Sequence, residues 1–403
     1  MWINSKTVRA PTPWPRVICP IANRCRSRLS ARMTNDPRLT RLAAKLPATV
    51  PFTGPEALER ASGITFDARL GANESGFGPS PLAIKAMQDA AADTWMYADP
   101  ESHDLRQAIA THHNIAPENI MIGEGIDTLL GLLVRLLVTE GDAVVTSAGA
   151  YPTFNYHVTG FGGTLHLVPY AGDFEDPARL VAKAVQTGAK LVYIANPDNP
   201  MGSVHTGPDI ERMVAAMPPG CLLVLDEAYG ELAPETALPA LSPDDPRVIR
   251  LRTFSKAYGM AGARVGYAIG QRDLINGFNK VRNHFGMNRI SQIGALAALG
   301  DTAHLDHVVQ QVQIARNRIA SIAYDNGLTP LSSATNFVTI DCGHTGAFAR
   351  TVVAELGARG VFVRMPFVAP QDRCIRIGCG PEAALAHFAS ALPAALKSAG
   401  KSG

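Results

Sequence analysis

The stretch L-V-Y-I-A-N-P-D-N-P-M-G (191–202) opens with five apolar residues and then breaks at once into amides, a carboxylate and prolines. The same pattern returns twice. L-L-V-L (222–225) runs into D-E-A-Y (226–229), and V-I-R-L-R (248–252) runs into T-F-S-K-A-Y-G-M-A-G-A-R (253–264). Apolar runs without alternation are strands covered on both faces, and helical stretches such as 207–216 separate them. The rhythm is βα, so the expected fold class is α/β, a mainly parallel sheet covered by helices. In such sheets ligands bind beyond the carboxyl ends of the strands. Asn199, Asp226, Tyr229, Thr253, Ser255, Lys256 and Arg264 are therefore expected to converge.

Working outward, a further strand is expected over 142–146. G-E-G (123–125) leads into an amphipathic run over 126–138, a helix whose first N–H groups, those of Ile126 and Asp127, would favour an anion. Many helices begin after glycine with no ligand, so this signal is weak alone. After about residue 283 the texture changes to a helical stretch over 291–324, strands over 337–340, 361–363 and 374–377, and a last Ala-rich helix over 384–398. This reads as a smaller α+β domain. The chain then divides into a basic extension (1–32), an N-terminal arm (33–60), a large domain (61–283) and a small C-terminal domain (284–403).

A chain of 403 residues predicts two or three domains and can bury a deep site. With 46% hydrophobic and 18% charged residues and a net charge of +2, neither disorder nor nucleic-acid binding is indicated. The apolar runs are strand-sized, too short to cross a bilayer. Six scattered cysteines with no C-x-x-C pair fit a reducing compartment and no metal site. Residues 1–32 carry Lys6, Arg9, Arg16, Arg24, Arg26, Arg28 and Arg32, and no acid precedes Asp36. They read as a transit peptide, a basic disordered tail or an upstream extension of the reading frame. The last, with Met33 as the usual start, is favoured.

Lys256 follows a hydroxyl and precedes a Gly-rich stretch. Beside a buried sheet end its charged form is disfavoured, which frees the amine as nucleophile and base; a solvated surface lysine is the alternative. Asp226 closes an apolar strand, where a buried carboxylate needs a cation, an arginine partner or a helix to cap.

These residues, with L-G-A-N-E-S-G-F-G-P-S-P (70–81), Tyr97 ahead of L-R-Q-A-I-A (105–110) and C-I-R-I-G-C-G (374–380), resemble the class I/II aminotransferases of fold type I. The likeness is greatest to the histidinol-phosphate aminotransferase branch and covers nearly all the chain after Met33. It implies pyridoxal 5′-phosphate, carried by Lys256 as a Schiff base, with Asp226 on the pyridine nitrogen and Asn199 and Tyr229 on the ring's phenolic oxygen. Thr253, Ser255, Arg264 and the amides of Ile126 and Asp127 would clamp the phosphate, with Tyr97 reaching in from a second subunit of a homodimer. Tyr151 would stack on the ring, with Phe154 its rival and a core aromatic the alternative for either. Arg376 would take the substrate's α-carboxylate, and Arg364 and Asn73 would line the substrate end. The family role is cytoplasmic amino-acid biosynthesis, moving an amino group from a small donor such as histidinol phosphate or an aromatic amino acid to a 2-oxo acid. A decarboxylating lyase of the threonine-phosphate type shares these residues, and a DNA-binding regulator would need a larger leader. Met201 and Gly71 depart from the common family pattern and leave the substrate open.

Overall fold

The computed structural model describes residues 39–48 and 52–400. The expected extension 1–32, with Cys19 and Cys25, lies outside them. Two compact units divide at Thr40, and Arg41–Gly403 carries every helix and strand among the described residues.

The strands are β1 (Ala68–Arg69), β2 (Ile120–Gly123), β3 (Ala143–Ala148), β4 (Thr164–Pro169), β5 (Leu191–Ala195), β6 (Leu222–Asp226), β7 (Val248–Thr253), β8 (Gly266–Ile269), β9 (Thr329–Pro330), β10 (Phe337–Asp341), β11 (Val361–Phe362) and β12 (Cys374–Gly378). Seven form one sheet in the order β2-β8-β7-β6-β5-β3-β4. Neighbours from β7 through β4 pair parallel, whereas β8 runs antiparallel to both β7 and β2.

The unbroken apolar runs are explained by where alternate side chains go. In β5, Leu191, Tyr193 and Ala195 join one buried cluster and Val192 and Ile194 another. β6 divides the same way, with Leu222 and Val224 on one face and Leu223 and Leu225 on the other. Successive strand residues point to opposite faces, so a strand between two helical layers must be apolar at every position. The first layer includes helix Gly125–Leu137; the second includes helices Pro177–Thr187 and Gly207–Ala215. The last of these starts on a capping box, with Thr206 and Asp209 each satisfying the other's backbone N–H.

The C-terminal part pairs β12-β10-β9 antiparallel and covers them with helices Thr302–Asp325, Gly346–Gly357 and Glu382–Ala399, around Val312, Phe337, Val352 and Phe388. The single helical stretch expected over 291–324 is two helices, Arg289–Gly300 and Thr302–Asp325. Asp301 breaks it: its backbone leaves the helical region (φ −95°, ψ 69°) and its carboxylate caps the second helix through the N–H of His304. The same carboxylate accepts from Ser80 at 2.5 Å. The first of the two helices buries Ala295 and Ala298 beside Phe254 and Tyr267 of the large sheet's flank. No helix among the described residues is long and apolar enough to cross a membrane.

Candidate active site

A cavity of about 500 Å³ opens at the carboxyl ends of β5, β6 and β7 and gathers Lys256, Asp226, Asn199, Tyr229 and Arg264 on its wall. Asp226 is the last residue of β6 and only 7% exposed. It accepts hydrogen bonds from the Tyr193 hydroxyl (2.7 Å) and the Ala228 N–H (2.9 Å). Burial outweighs these and pushes its pKa up to about 6. Lys256 Nζ donates to the Asn73 carbonyl (3.0 Å) and stands 5.6 Å from the centre of the Tyr229 ring. Burial first, and then the charge of Arg376, lower its pKa to about 8.

Around the amine the polar groups are wired to one another. Asn73, held at φ 55°, donates through Nδ2 to the Tyr229 hydroxyl (3.0 Å), and its own Oδ1 is buried without a partner. Arg376 donates to the Asn199 side-chain oxygen and to the Gly71 carbonyl (3.2 Å), while its Nε is likewise buried and unpartnered. Arg364 pairs backbone to backbone with Arg376 (2.7 and 3.3 Å), and its guanidinium donates to the Thr53 carbonyl (2.5 Å). Two guanidiniums thus share one end of the cavity.

The opposite end is a helix N-terminus. Ile126 and Asp127 lie in the first turn of Gly125–Leu137 and line the cavity, and Glu124 before them gives no side-chain cap. Free N–H groups there carry the positive end of the helix dipole. Arg264, itself at φ 55°, crowds Gly125: a Cβ on that glycine would come within 2.6 Å of the guanidinium. Gly266 of β8 serves the same approach, because a Cβ there would meet the backbone of Gly125 and Ile126 at 2.9 Å. The Arg264 guanidinium donates to the Ser255 hydroxyl (3.4 Å), and the Ser255 backbone N–H donates to the Thr253 hydroxyl (3.1 Å).

Not every expected residue comes to this place. Tyr151 lines the cavity and stacks on Phe52, centroids 5.5 Å apart at 20°. Its rival Phe154 is fully buried in the sheet's helical layer against Tyr193, at 4.8 Å and 16°; it is a core aromatic, placed there by the register of helix Thr153–Gly160. Tyr97 is 79% exposed, leans on Phe285 at 4.8 Å and lies outside the cavity of its own chain. Sequence reasoning missed Tyr193 and Phe52. A lone tyrosine within an aliphatic strand was the available signal for the first; nothing in the sequence pointed to the second.

The model for aminotransferase class I and II matches residues 68–392. A histidinol-phosphate aminotransferase from Anaeromyxobacter is 37% identical over 307 residues, covering 75% of this chain and 84% of that protein. One from Mesorhizobium japonicum is 34% identical over 331 residues, covering 81% and 89%. The crystal structure of histidinol-phosphate aminotransferase from Sinorhizobium meliloti in complex with pyridoxal-5′-phosphate superposes with a TM-score of 0.88 at 53% identity, over 91% of this chain and 99% of that one. The parallel sheet with one reversed strand is the fold type I architecture of these proteins, and the chain belongs to the class I and II aminotransferase family, among the relatives of the histidinol-phosphate aminotransferases.

Proposed function

We propose that the chain is a pyridoxal-phosphate-dependent transaminase that takes its amino group from histidinol phosphate and passes it to a 2-oxo acid. The observation that carries the reading is the placing of an anion cradle and a paired-arginine end on either side of one amine and one buried acid. The cavity fits the cofactor: an uncapped helix start with Arg264, Ser255 and Thr253 suits a phosphate, and the buried Asp226 makes no ion pair among the described residues. Asn73 Oδ1 and Arg376 Nε are buried polar atoms without partners, as expected where a ligand completes the bonding.

When bound, the cofactor supplies an electron sink for the pair released at the substrate's Cα. The protein's part is position and proton transfer. Asp226 would hold the ring nitrogen protonated, Asn199 and Tyr229 the ring oxygen, and Tyr151 would cover a ring face. Lys256, half of it neutral near pH 8, would take the Cα proton and deliver it two bonds away, at the cofactor's C4′ carbon. Arg376 would grip the anionic end of either substrate, a carboxylate or a phosphate ester, and so fix which Cα bond faces Lys256. Arg364 would add a second positive charge suited to the doubly charged phosphate. Tyr97, exposed and outside its own chain's cavity, would reach the site of a second subunit in a homodimer. A division near residue 283 into large and small domains, and a cytoplasmic biosynthetic setting, go with this reading.

The names of the relatives give no support to the decarboxylating alternative. A panel of amino donors with 2-oxoglutarate as acceptor tests the substrate. Histidinol phosphate should exceed phenylalanine, tyrosine and aspartate in kcat/KM by at least about tenfold, a 1.4 kcal/mol difference. Preference for an aromatic amino acid would remove the phosphate reading, and release of carbon dioxide would select the lyase.

A further inference from the structure

Behind the cavity lies a buried acid pair for which the transamination chemistry has no use. Glu175, just before helix Pro177–Thr187, and Asp198, just after β5, are 1% and 2% exposed. Their side chains are electrostatic neighbours, each acting on the other's ionisation. Around them stand Tyr170, whose hydroxyl lies 3.1 and 3.2 Å from the two Asp198 oxygens, together with Tyr193 on β5, Asp226 on β6 and Ser147 on β3. The Ala195 N–H donates to Glu175 Oε1 (3.0 Å) and the Met201 N–H to Asp198 Oδ2 (3.1 Å). The His205 ring meets the Glu175 backbone oxygen (2.9 Å) and not its carboxyl, and Arg376 acts on Asp198 through charge. Glu175 Oε2 is buried with no hydrogen-bond partner among the described residues. Two neighbouring buried carboxyls with no ion-pair partner among the described residues strongly disfavour ionising together, and a single proton between them would satisfy both. Burial pushes Asp198 up to about 7 and also raises Glu175 well above the usual carboxylate range.

Asp198 is also the residue before Asn199. Its loop is closed by Asp198 N–H to Ser203 O (2.9 Å) and tied to the C-terminal part through Thr339 to Pro200 O (2.6 Å) and Ala334 N–H to Gly202 O (2.9 Å). Asn199 in turn accepts from Arg376. We propose that Glu175 and Asp198 share one proton, and that this proton keeps the 198–203 loop seated with Asn199 facing the cavity and Arg376. Both acids are positioning residues. When base removes the proton, two like charges face each other under the loop and Asn199 loses its fixed place. The consequence for pyridoxal phosphate rests on the function proposed above.

Glu175→Gln and Asp198→Asn each put a permanent amide N–H where the proton sits, with little change of shape. In cofactor-free protein at pH 6, difference infrared spectra against wild type should show one protonated-carboxyl band, lost in both variants. Between pH 6 and 9 that band should vanish together with the one from Asp226, whose pKa is about 6, and Asp226→Asn removes the latter so that the shared proton is read alone. Titrated with pyridoxal phosphate and followed by absorbance, wild type and Glu175→Gln should bind equally at pH 6. By pH 9 wild type should bind on the order of tenfold more weakly, the effect of one pKa unit of linkage. Absence of the band overturns the shared proton, and a flat affinity ratio overturns its effect on Asn199. A protein that binds no pyridoxal phosphate at any pH would sink the proposed function, while the infrared result would still decide the proton.

Discussion

Lys256 should condense with an aldehyde at a pH where an ordinary lysine is inert. Its pKa falls from 10.5 to about 8, burial acting first and Arg376 second. At pH 7 about one molecule in ten then carries the neutral amine, against about one in three thousand for an unshifted lysine, a gain of roughly 300-fold from that difference in pKa. The perturbation is pH itself. Cofactor-free protein mixed with excess pyridoxal phosphate in a stopped-flow absorbance experiment gives a rate constant at each pH, and a free primary amine run in parallel corrects for the aldehyde's own ionisations. The corrected rate should rise about tenfold per unit up to pH 8 and level off above it. Arg376→Met should move the plateau to higher pH, because a repelling cation is gone, and Lys256→Ala should give no adduct. A rate that climbs without a break to pH 10, or a borohydride-fixed adduct on another lysine, would refute the reasoning.

Asp226→Asn should lower kcat on the order of 100- to 1,000-fold, the usual loss on removing one group that stabilises developing charge, with KM little changed in steady-state kinetics. Because Asp226 is held up at about 6, it is ionised above that pH and protonated below it, so cofactor affinity should fall as pH drops through 6 in equilibrium titrations. Phe154→Ala should cost about 3–5 kcal/mol in urea unfolding of the cofactor-free chain, as a fully buried ring removed from a packed layer. Tyr151→Phe should leave that stability unchanged and alter the bound cofactor's spectrum instead. Arg252→Met strands the buried Glu231 carboxylate and leaves Glu227 to Arg250 alone, and should cost about 3–5 kcal/mol in the same assay.

Chemical identity and approximate place were legible along the chain. The runs 191–195, 222–225 and 248–251 are short, almost wholly apolar and set between helical stretches, as strands covered on both faces are, and the groups that follow them reach one cavity because parallel strands end on one side. Lys256, Asp226 and Asn199 needed no more than that. What local pattern could not supply was everything set by contact between distant segments. β8 shows no long apolar run, and its reversal depends on pairing with β7 and β2. The choice between Tyr151 and Phe154 turned on a helix register, and the break at Asp301 on a cap shared with Ser80. Glu175 is 23 residues from Asp198 and reads as an ordinary surface acid before a helix. Only folding buries the two together, because desolvation and the missing counter-charge are properties of a place in the tertiary structure and not of either residue.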